Sequence, residues 1–419
     1  MVAARVCGSP KRAGRLLGSG ALLAGVFLGG CTGVPEPAPF LPSPPPTTAT
    51  APAATAPASG SSSFRELQAM LELYSGEVLQ EGAPAVLIEA KVGREKWSHA
   101  AGVRSRDGGV PVQAGDPVQV GGITRTMVAV SVLKLVDEGR LALDEPVGRH
   151  LPELEGLLRP PTPVTVRQLL GHTSGMPDYY APLLESAPLG QVLATPLTPE
   201  KRLALAGTVP WQLGEPQGFS FSRSDYVALG LLVERLRGRP LADVLRADIV
   251  EPLGLRSTSM IGDGPAPANL VHGYTLADGG LVDVAYPALQ DGSASDGMIS
   301  TVEDVNTFYA ALLRGELLSP AGLIEMKGRI YADYGLGLDQ WNDRCTNGFY
   351  HGHSGDMPGY GAIAISSADG HRQLAMSVAY PPSAVPERSH AIVLEMTVLA
   401  QRALNASCSF QFWWTPPGD

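Results

Sequence analysis

The sequence predicts a mixed α/β chain of the α+β kind: one antiparallel sheet flanked by helices, with a mostly helical subdomain inserted in the middle. Three observations carry this. Strand-like runs stand at both ends of the domain, in 85–101 and again from Tyr334 onward. The stretch from about 144 to 284 reads as helical pieces and long proline-bearing loops. One segment, Ile123 to Glu138, is a strong helix candidate and stops at Gly139. A chain of 419 residues with 44% apolar residues can build a sizeable core, which excludes global disorder.

The elements follow in order. Residues 1–15 hold Arg5, Lys11, Arg12 and Arg15 and no acid, and a short glycine-rich apolar run from Leu16 to Gly30 comes next. A basic start, a short apolar run and small residues before a boundary mark a secretory signal over 1–30. The run is too short for a confident membrane span. The boundary, Leu28-Gly29-Gly30-Cys31, is similar to a bacterial lipobox, which implies lipidation of Cys31; the alternative is cleavage near Gly30 with an incidental cysteine. Lys11-Arg12 is a poor twin-arginine match, so the export route stays open.

Residues 33–62 are almost wholly Pro, Ala, Thr, Ser and Gly, so 31–62 reads as an extended tether. Together these segments predict a domain held by lipid at the outer face of the cytoplasmic membrane. Loss of the four basic signal residues takes the net charge from −10 to −14. So acidic a surface excludes nucleic acid and anionic head groups as partners.

The domain itself is expected over 63–408. Phe64, Leu67, Met70, Leu71 and Leu73 recur at close to helical spacing, which predicts a helix over 63–79. Ala85–Ala90 and Lys96–Ala101, around Gly93, predict a hairpin. Late strands are expected at Gly335–Trp341, Gly361–Ser367 and Leu374–Tyr380, with a turn at Ala368-Asp369-Gly370 between the last two and a closing helix over Ser389–Leu404. Cys345 and Cys408 form an even pair in an oxidising compartment, so a disulfide is favoured over two buried thiols. Residues 409–419 form a tail whose Trp413 and Trp414 are expected to pack on the domain rather than to bind a ligand.

Five blocks carry the functional signal: Val120-Gly-Gly-Ile-Thr-Arg-Thr-Met, Leu169-Leu-Gly-His-Thr-Ser-Gly-Met-Pro-Asp-Tyr, Gly218-Phe-Ser-Phe-Ser-Arg-Ser-Asp-Tyr, Ala294-Ser-Asp-Gly-Met-Ile-Ser and His351-Gly-His-Ser-Gly-Asp-Met-Pro-Gly-Tyr. In this order they resemble the serine β-lactamase-related family, which includes class C β-lactamases, D-alanyl-D-alanine carboxypeptidases and esterases. The resemblance runs from about residue 64 to the late 390s. It implies an S-x-x-K nucleophile and base at a helix start, a Tyr-x-Asn loop, and a strand bearing Lys-x-Gly or His-x-Gly.

Against that pattern the first motif falls on Gly122 and Arg125, and the second on Phe221-Ser222-Arg223. Glycine cannot be acylated, and arginine does not give up its proton. Phe221 lacks the hydroxyl and Arg223 replaces the amide. The third motif is intact as His353-Ser354-Gly355. No catalytic set of the family's kind remains, and the expectation is a pseudoenzyme.

The helix start at Gly122 with Arg125, Arg223 and His353 then has two readings. One is a cationic pocket for a carboxylate such as a cell-wall peptide terminus. The other is that the arginines pair with local acids and fill the cavity. A hydrolase using His353 as general base on water, and a purely structural lipoprotein serving a protein partner, are the alternatives. No cofactor motif is present.

Four features invite over-reading. Ser131-Val-Leu-Lys134 is an S-x-x-K string, but nine residues into the helix it lies opposite Gly122 and roughly 13 Å along the axis. Ser220 and Ser222 have no evident base. His351 and His353 share a strand face but have no third ligand nearby in sequence, so no metal site is expected. His172 is read as structural.

Overall fold

The computed structural model describes residues 61–211, 218–382 and 386–408. The expected signal, Cys31, nearly all of the tether and the tail 409–419 lie outside them.

The first helix, α1 (Ser62–Gln80), begins inside the stretch read as tether, because the Ser61 side chain caps it by accepting from the Phe64 N–H. The hairpin follows as β1 (Ala85–Val92) and β2 (Glu95–Gly102), with Gly93 turning it at positive φ. Short β3 (Val118–Gln119) leads into α2 (Ile123–Asp137). A mostly helical region comes next: α3 (Glu153–Leu158), α4 (Val166–Leu170), α5 (Tyr180–Ser186), α6 (Leu189–Ala194), α7 (Pro199–Ala206), α8 (Arg223–Arg237), α9 (Leu241–Leu245) and α10 (Glu251–Leu253). The strands β4 (Ser259–Met260), β5 (Tyr274–Ala277), β6 (Gly280–Asp283) and β7 (Met298–Ser300) carry the chain back, followed by α11 (Val302–Leu313) and α12 (Pro320–Lys327). The chain then completes the sheet with β8 (Asp339–Asp343), β9 (Gly348–Met357), β10 (Tyr360–Ser367) and β11 (Arg372–Ala379), and α13 (Pro386–Ala406) closes it.

The main sheet has six antiparallel strands in the order β2-β1-β11-β10-β9-β8, so strands from both ends of the domain meet in register at β1 and β11, with Ala85 opposite Ala379. Both faces are covered, which is why its central strands read as nearly continuous apolar runs. Along β1, Val86, Ile88 and Ala90 face a core shared with α1 and α13. Ala85 and Leu87 face the larger core built on α2, α8 and α11. Helix α2 is buried almost all round, so apolar residues occur on every side of it, with Thr124, Arg125, Thr126 and Ser131 buried among them. A second sheet, β3-β7-β4, fixes the entry to α2, with Val118 opposite Ser300.

One expected strand is corrected. Gly335–Leu338 is a bend, and β8 starts only at Asp339. Gly337 sits at φ +74, where a Cβ would meet Ala129 Cβ at 2.6 Å and Tyr226 Oη at 2.7 Å. The chain has to turn there to pass beneath α2 and α8. Cys345 and Cys408 are joined by a disulfide across 63 residues, tying the end of α13 to the β8–β9 connection.

Candidate functional site

Three elements converge: the start of α2 at Gly122, the start of α8 at Phe221-Ser222-Arg223, and β9 at His353-Ser354-Gly355. The first is placed by the small sheet, where Val120 N–H donates to the Met298 carbonyl at 3.1 Å and Gly121 turns the chain at φ +51. Gly122 is the N-cap of α2 and offers no side-chain cap. The second is placed by Ser222, whose hydroxyl caps α8 by accepting from the Ser224 N–H.

The third element lies against the first at backbone distance. A Cβ on Gly122 would stand 2.4 Å from the Ser354 carbonyl oxygen, 2.9 Å from an Arg125 guanidinium nitrogen and 3.1 Å from His353 Cε1. A Cβ on Gly355 would stand 2.2 Å from the Val120 carbonyl oxygen. Gly122 has ordinary helical φ, so conformation does not demand glycine there; space does. The position is closed to a side chain, not merely stripped of one.

The two arginines also converge, both close to the Phe221 ring. The Arg125 guanidinium lies 4.7 Å from the Phe221 ring centre and that of Arg223 lies 5.3 Å from it. Arg125 is buried; it donates to Asp296 at 2.7 Å and to the Ser295 hydroxyl at 3.1 Å. Arg223 donates to Asp178 at 2.9 Å, lies 3.7 Å from the other oxygen of Asp296, and covers the Tyr180 ring at 4.4 Å. Burial works against its charge, but Asp296 and Asp178 outweigh that and hold the guanidinium above its ordinary value.

Of the two readings the sequence left open, the geometry has the arginines paired with local acids: Arg125 and Arg223 meet Asp296 and Asp178. What is left beside Arg223 and Asp296 is a cavity of about 20 Å³, room for about one water.

His353 completes the wall. Its Nδ1–H donates to its neighbour's carbonyl, Ser354 O, at 2.6 Å, which leaves Nε2 to accept from Tyr334 Oη at 3.3 Å. Burial and then the charge of Arg125 push it down to about 3, so it is neutral under ordinary conditions. Behind it His172, at φ +52, bonds Asp225 at 2.8 Å, and Ser174 donates to the same carboxyl. Burial drives His172 well below and Asp225 well above their usual values. Phe219, Phe221, Tyr226 and Tyr334 ring His172, and its Nε2 has no hydrogen-bond partner among the described residues.

The hydroxyls around the site are committed to structure. Ser222 caps α8, Ser224 accepts from the Tyr179 N–H, Thr124 from the Met298 N–H, and Ser295 from Arg125. Ser131 is fully buried in α2 and Lys134 donates to the Asp248 carbonyl, so that S-x-x-K string is away from the site. Ser220 uses its N–H to hold the His172 carbonyl at 2.7 Å. His351 is buried on β9 and pushed down to about 4, by burial and then Lys327. No group of three or more metal-type ligands occurs among the described residues.

Sequence reasoning missed Asp296, Asp178 and Tyr334. A signal for the two acids was present: each stands in a motif block already singled out, and each new arginine needed an acid once it was buried.

A model of the family described as Beta-lactamase matches residues 64–394. Penicillin-binding protein 4* of Bacillus subtilis (strain 168) is 26% identical over 312 residues, 68% of this chain and 66% of that protein. Esterase EstB of Burkholderia gladioli is 33% identical over 211 residues, 48% of this chain and 53% of the esterase. The chain thus spans between about half and two thirds of the length of these relatives. The crystal structure of a D-stereospecific amidohydrolase from Streptomyces sp. superimposes with a TM-score of 0.66 at 29% identity, covering 77% of this chain and 97% of that one. With a helix-covered antiparallel sheet, five motif blocks converging on one place, and a family match over most of its length, the chain belongs to the Beta-lactamase family.

Proposed function

We propose that this protein is a penicillin-binding-type member of the family that has lost acyl-transfer chemistry and acts by binding, anchored through Cys31 at the outer face of the membrane. One observation carries the loss of chemistry: the Ser354 carbonyl occupies the space that a nucleophile's Cβ at position 122 would need. The neighbouring base position supports it, because Arg125 is spent on Asp296. The anchoring rests on Leu28-Gly29-Gly30-Cys31 and the proline-rich stretch behind it.

Intact-mass measurement after incubation with a β-lactam and with a fluorophosphonate tests the reading. The expected result is no adduct. A covalent adduct on any serine overturns it.

A second reading, capture of a carboxylate such as a D-Ala-D-Ala peptide terminus, is favoured by one observation: the Arg223–Asp178 pair keeps about a fifth of each side chain exposed, at 22% and 21%. A ligand carboxylate would take over Arg223 from Asp178. Calorimetry with such a peptide should then show heat that Arg223→Ala removes; no heat with the unaltered protein discards this reading. General-base hydrolysis through His353 is disfavoured by its burial and its depressed proton affinity.

A further inference from the structure

Helices α5, α6 and α7 of the inserted region enclose a cleft of about 600 Å³, a volume within the range of small-molecule sites. Its apolar surface comes from Leu183, Ala187, Val192, Leu197, Ala204 and Leu205. Leu183 and Val192 are buried and form the floor, and Ala204 is exposed at the rim. Three hydroxyls also line the cleft, but each is spent within its own segment. Ser186 donates to the Leu183 carbonyl, Thr195 to that of Gln191 and Thr208 to that of Leu205, each at 2.7 Å. With their protons used, they need no polar partner in the cleft.

One charged residue stands in this lining, Lys201. Its backbone N–H is taken by the Thr198 cap, and its ammonium pairs with no acid among the described residues. Lys201 occupies the first turn of α7, the positive end of that helix, where a cation is unfavourable and an anion is favoured. Glu200 in the same turn is exposed and does not line the cleft. Gln191 adds an amide to the lining. We propose that the cleft binds a medium-length straight-chain carboxylic acid, with its chain along Leu183, Val192 and Leu205 and its carboxylate on Lys201.

Three features favour this occupant. An apolar trough whose hydroxyls are internally bonded suits a hydrocarbon chain, each buried methylene being worth roughly fourfold in affinity. A single unpaired ammonium at the positive end of a helix suits a single carboxylate. In a chain of net charge −10, a large acidic partner would be repelled by the surrounding surface, whereas a small monoanion needs only the one cation. The cleft is also separate from the motif site. Helix α5 begins at Tyr180, which lies under the Arg223 guanidinium at 4.4 Å, and ends at Ser186 on the cleft. The two ends are about 9 Å apart at 1.5 Å per residue.

The test exposes the full, membrane-bound chain to a decanoic acid bearing a diazirine and maps the photolabel by mass spectrometry. The label should fall on peptides from α5 to α7 and be displaced by decanoate, with hexanoate at least tenfold weaker as a competitor. Lys201→Met should cut labelling at limiting probe at least tenfold and leave labelling by the matching diazirine alcohol unchanged. Ala204→Trp, which fills the cleft from an exposed position, should abolish both labels while the far-ultraviolet circular dichroism stays intact. Label confined to other parts of the chain, label that decanoate does not displace, or label indifferent to Lys201→Met or to Ala204→Trp would each overturn the proposal. So would label lost in Arg223→Ala, which would move the acid to the motif site. The outcome is independent of whether the motif site retains chemistry.

Discussion

Gly122 and Ser354 are in backbone contact: a Cβ on the first would stand 2.4 Å from the carbonyl oxygen of the second. Placing a serine there is therefore expected to strain the contact rather than to build an acylable site. Gly122→Ser should lower stability by about 1–3 kcal/mol, the range for overpacking a well-filled position, and should still give no β-lactam adduct. Urea unfolding together with intact mass decides it. An acylated Gly122→Ser protein would mean that β9 moves away freely.

Asp296 bridges the two arginines, at 2.7 Å from Arg125 and 3.7 Å from Arg223. Asp296→Ala leaves two guanidiniums short of a partner and should cost about 3–5 kcal/mol. Arg125→Ala should cost less, because Asp296 keeps Arg223 nearby. Comparing the two by chemical denaturation, with the double variant closing the cycle, measures the coupling. Equal costs would show that Arg223 does not use Asp296.

His353 and His351 are pushed down to about 3 and about 4, chiefly by burial. In the unfolded chain they titrate at an ordinary value near 6.5. The fold holds them neutral, so their contribution is fully present above about pH 6.5 and is lost as pH falls toward 3–4. Each adds at most about 1.4 kcal/mol per pH unit to the slope. Melting temperature should be flat above neutrality and fall below about pH 6, and His353→Gln should flatten that fall. An unchanged slope in the variant would show that His353 is not held neutral by the fold.

The Cys345–Cys408 bond closes a 63-residue separation. Chain-entropy arguments put its contribution at about 4 kcal/mol, within the 2–5 kcal/mol range seen for native bridges. Cys408→Ser should lower stability by that order, and the unreduced, denatured parent should show no free thiol at Cys345 or Cys408. A free thiol at either position would remove the bridge from the account.

Ser131 is fully buried and its hydroxyl has no hydrogen-bond partner among the described residues. Removing an unsatisfied buried hydroxyl relieves a desolvation cost of about 1–3 kcal/mol and leaves a small void that offsets part of it. Ser131→Ala should therefore be neutral or slightly stabilising. Loss of any measured hydrolysis in that variant would instead make Ser131 a nucleophile.

The long elements were legible because their signals are local. Helical spacing of Phe64, Leu67 and Leu71 marked α1, and the apolar run after Gly122 marked α2; each boundary fell within a residue or two of the structure. The strand expected at Gly335–Trp341 was misplaced because its first half bends at Gly337 to clear Ala129 and Tyr226, and that contact is invisible along the chain. The same limit applied at the site. The arginines at 125 and 223 could be read, but the acids that neutralise them come from positions 178 and 296, set beside them only by the fold.

Sequence alone determined which side chains stand at the motif positions, because that is side-chain identity: Gly122 offers no nucleophile, Arg125 holds its proton, and Phe221 lacks a hydroxyl. It also marked Cys345 and Cys408 as a pair. Only the tertiary structure decided what surrounds those positions. Packing β9 against the start of α2 puts the Ser354 carbonyl where a Cβ at position 122 would stand, and the buried Arg125 and half-buried Arg223 meet Asp296 and Asp178, since charge removed from water must be met by opposite charge. Gly122 is thus part of a closed and internally neutralised contact, a property of distances between segments that no linear motif carries.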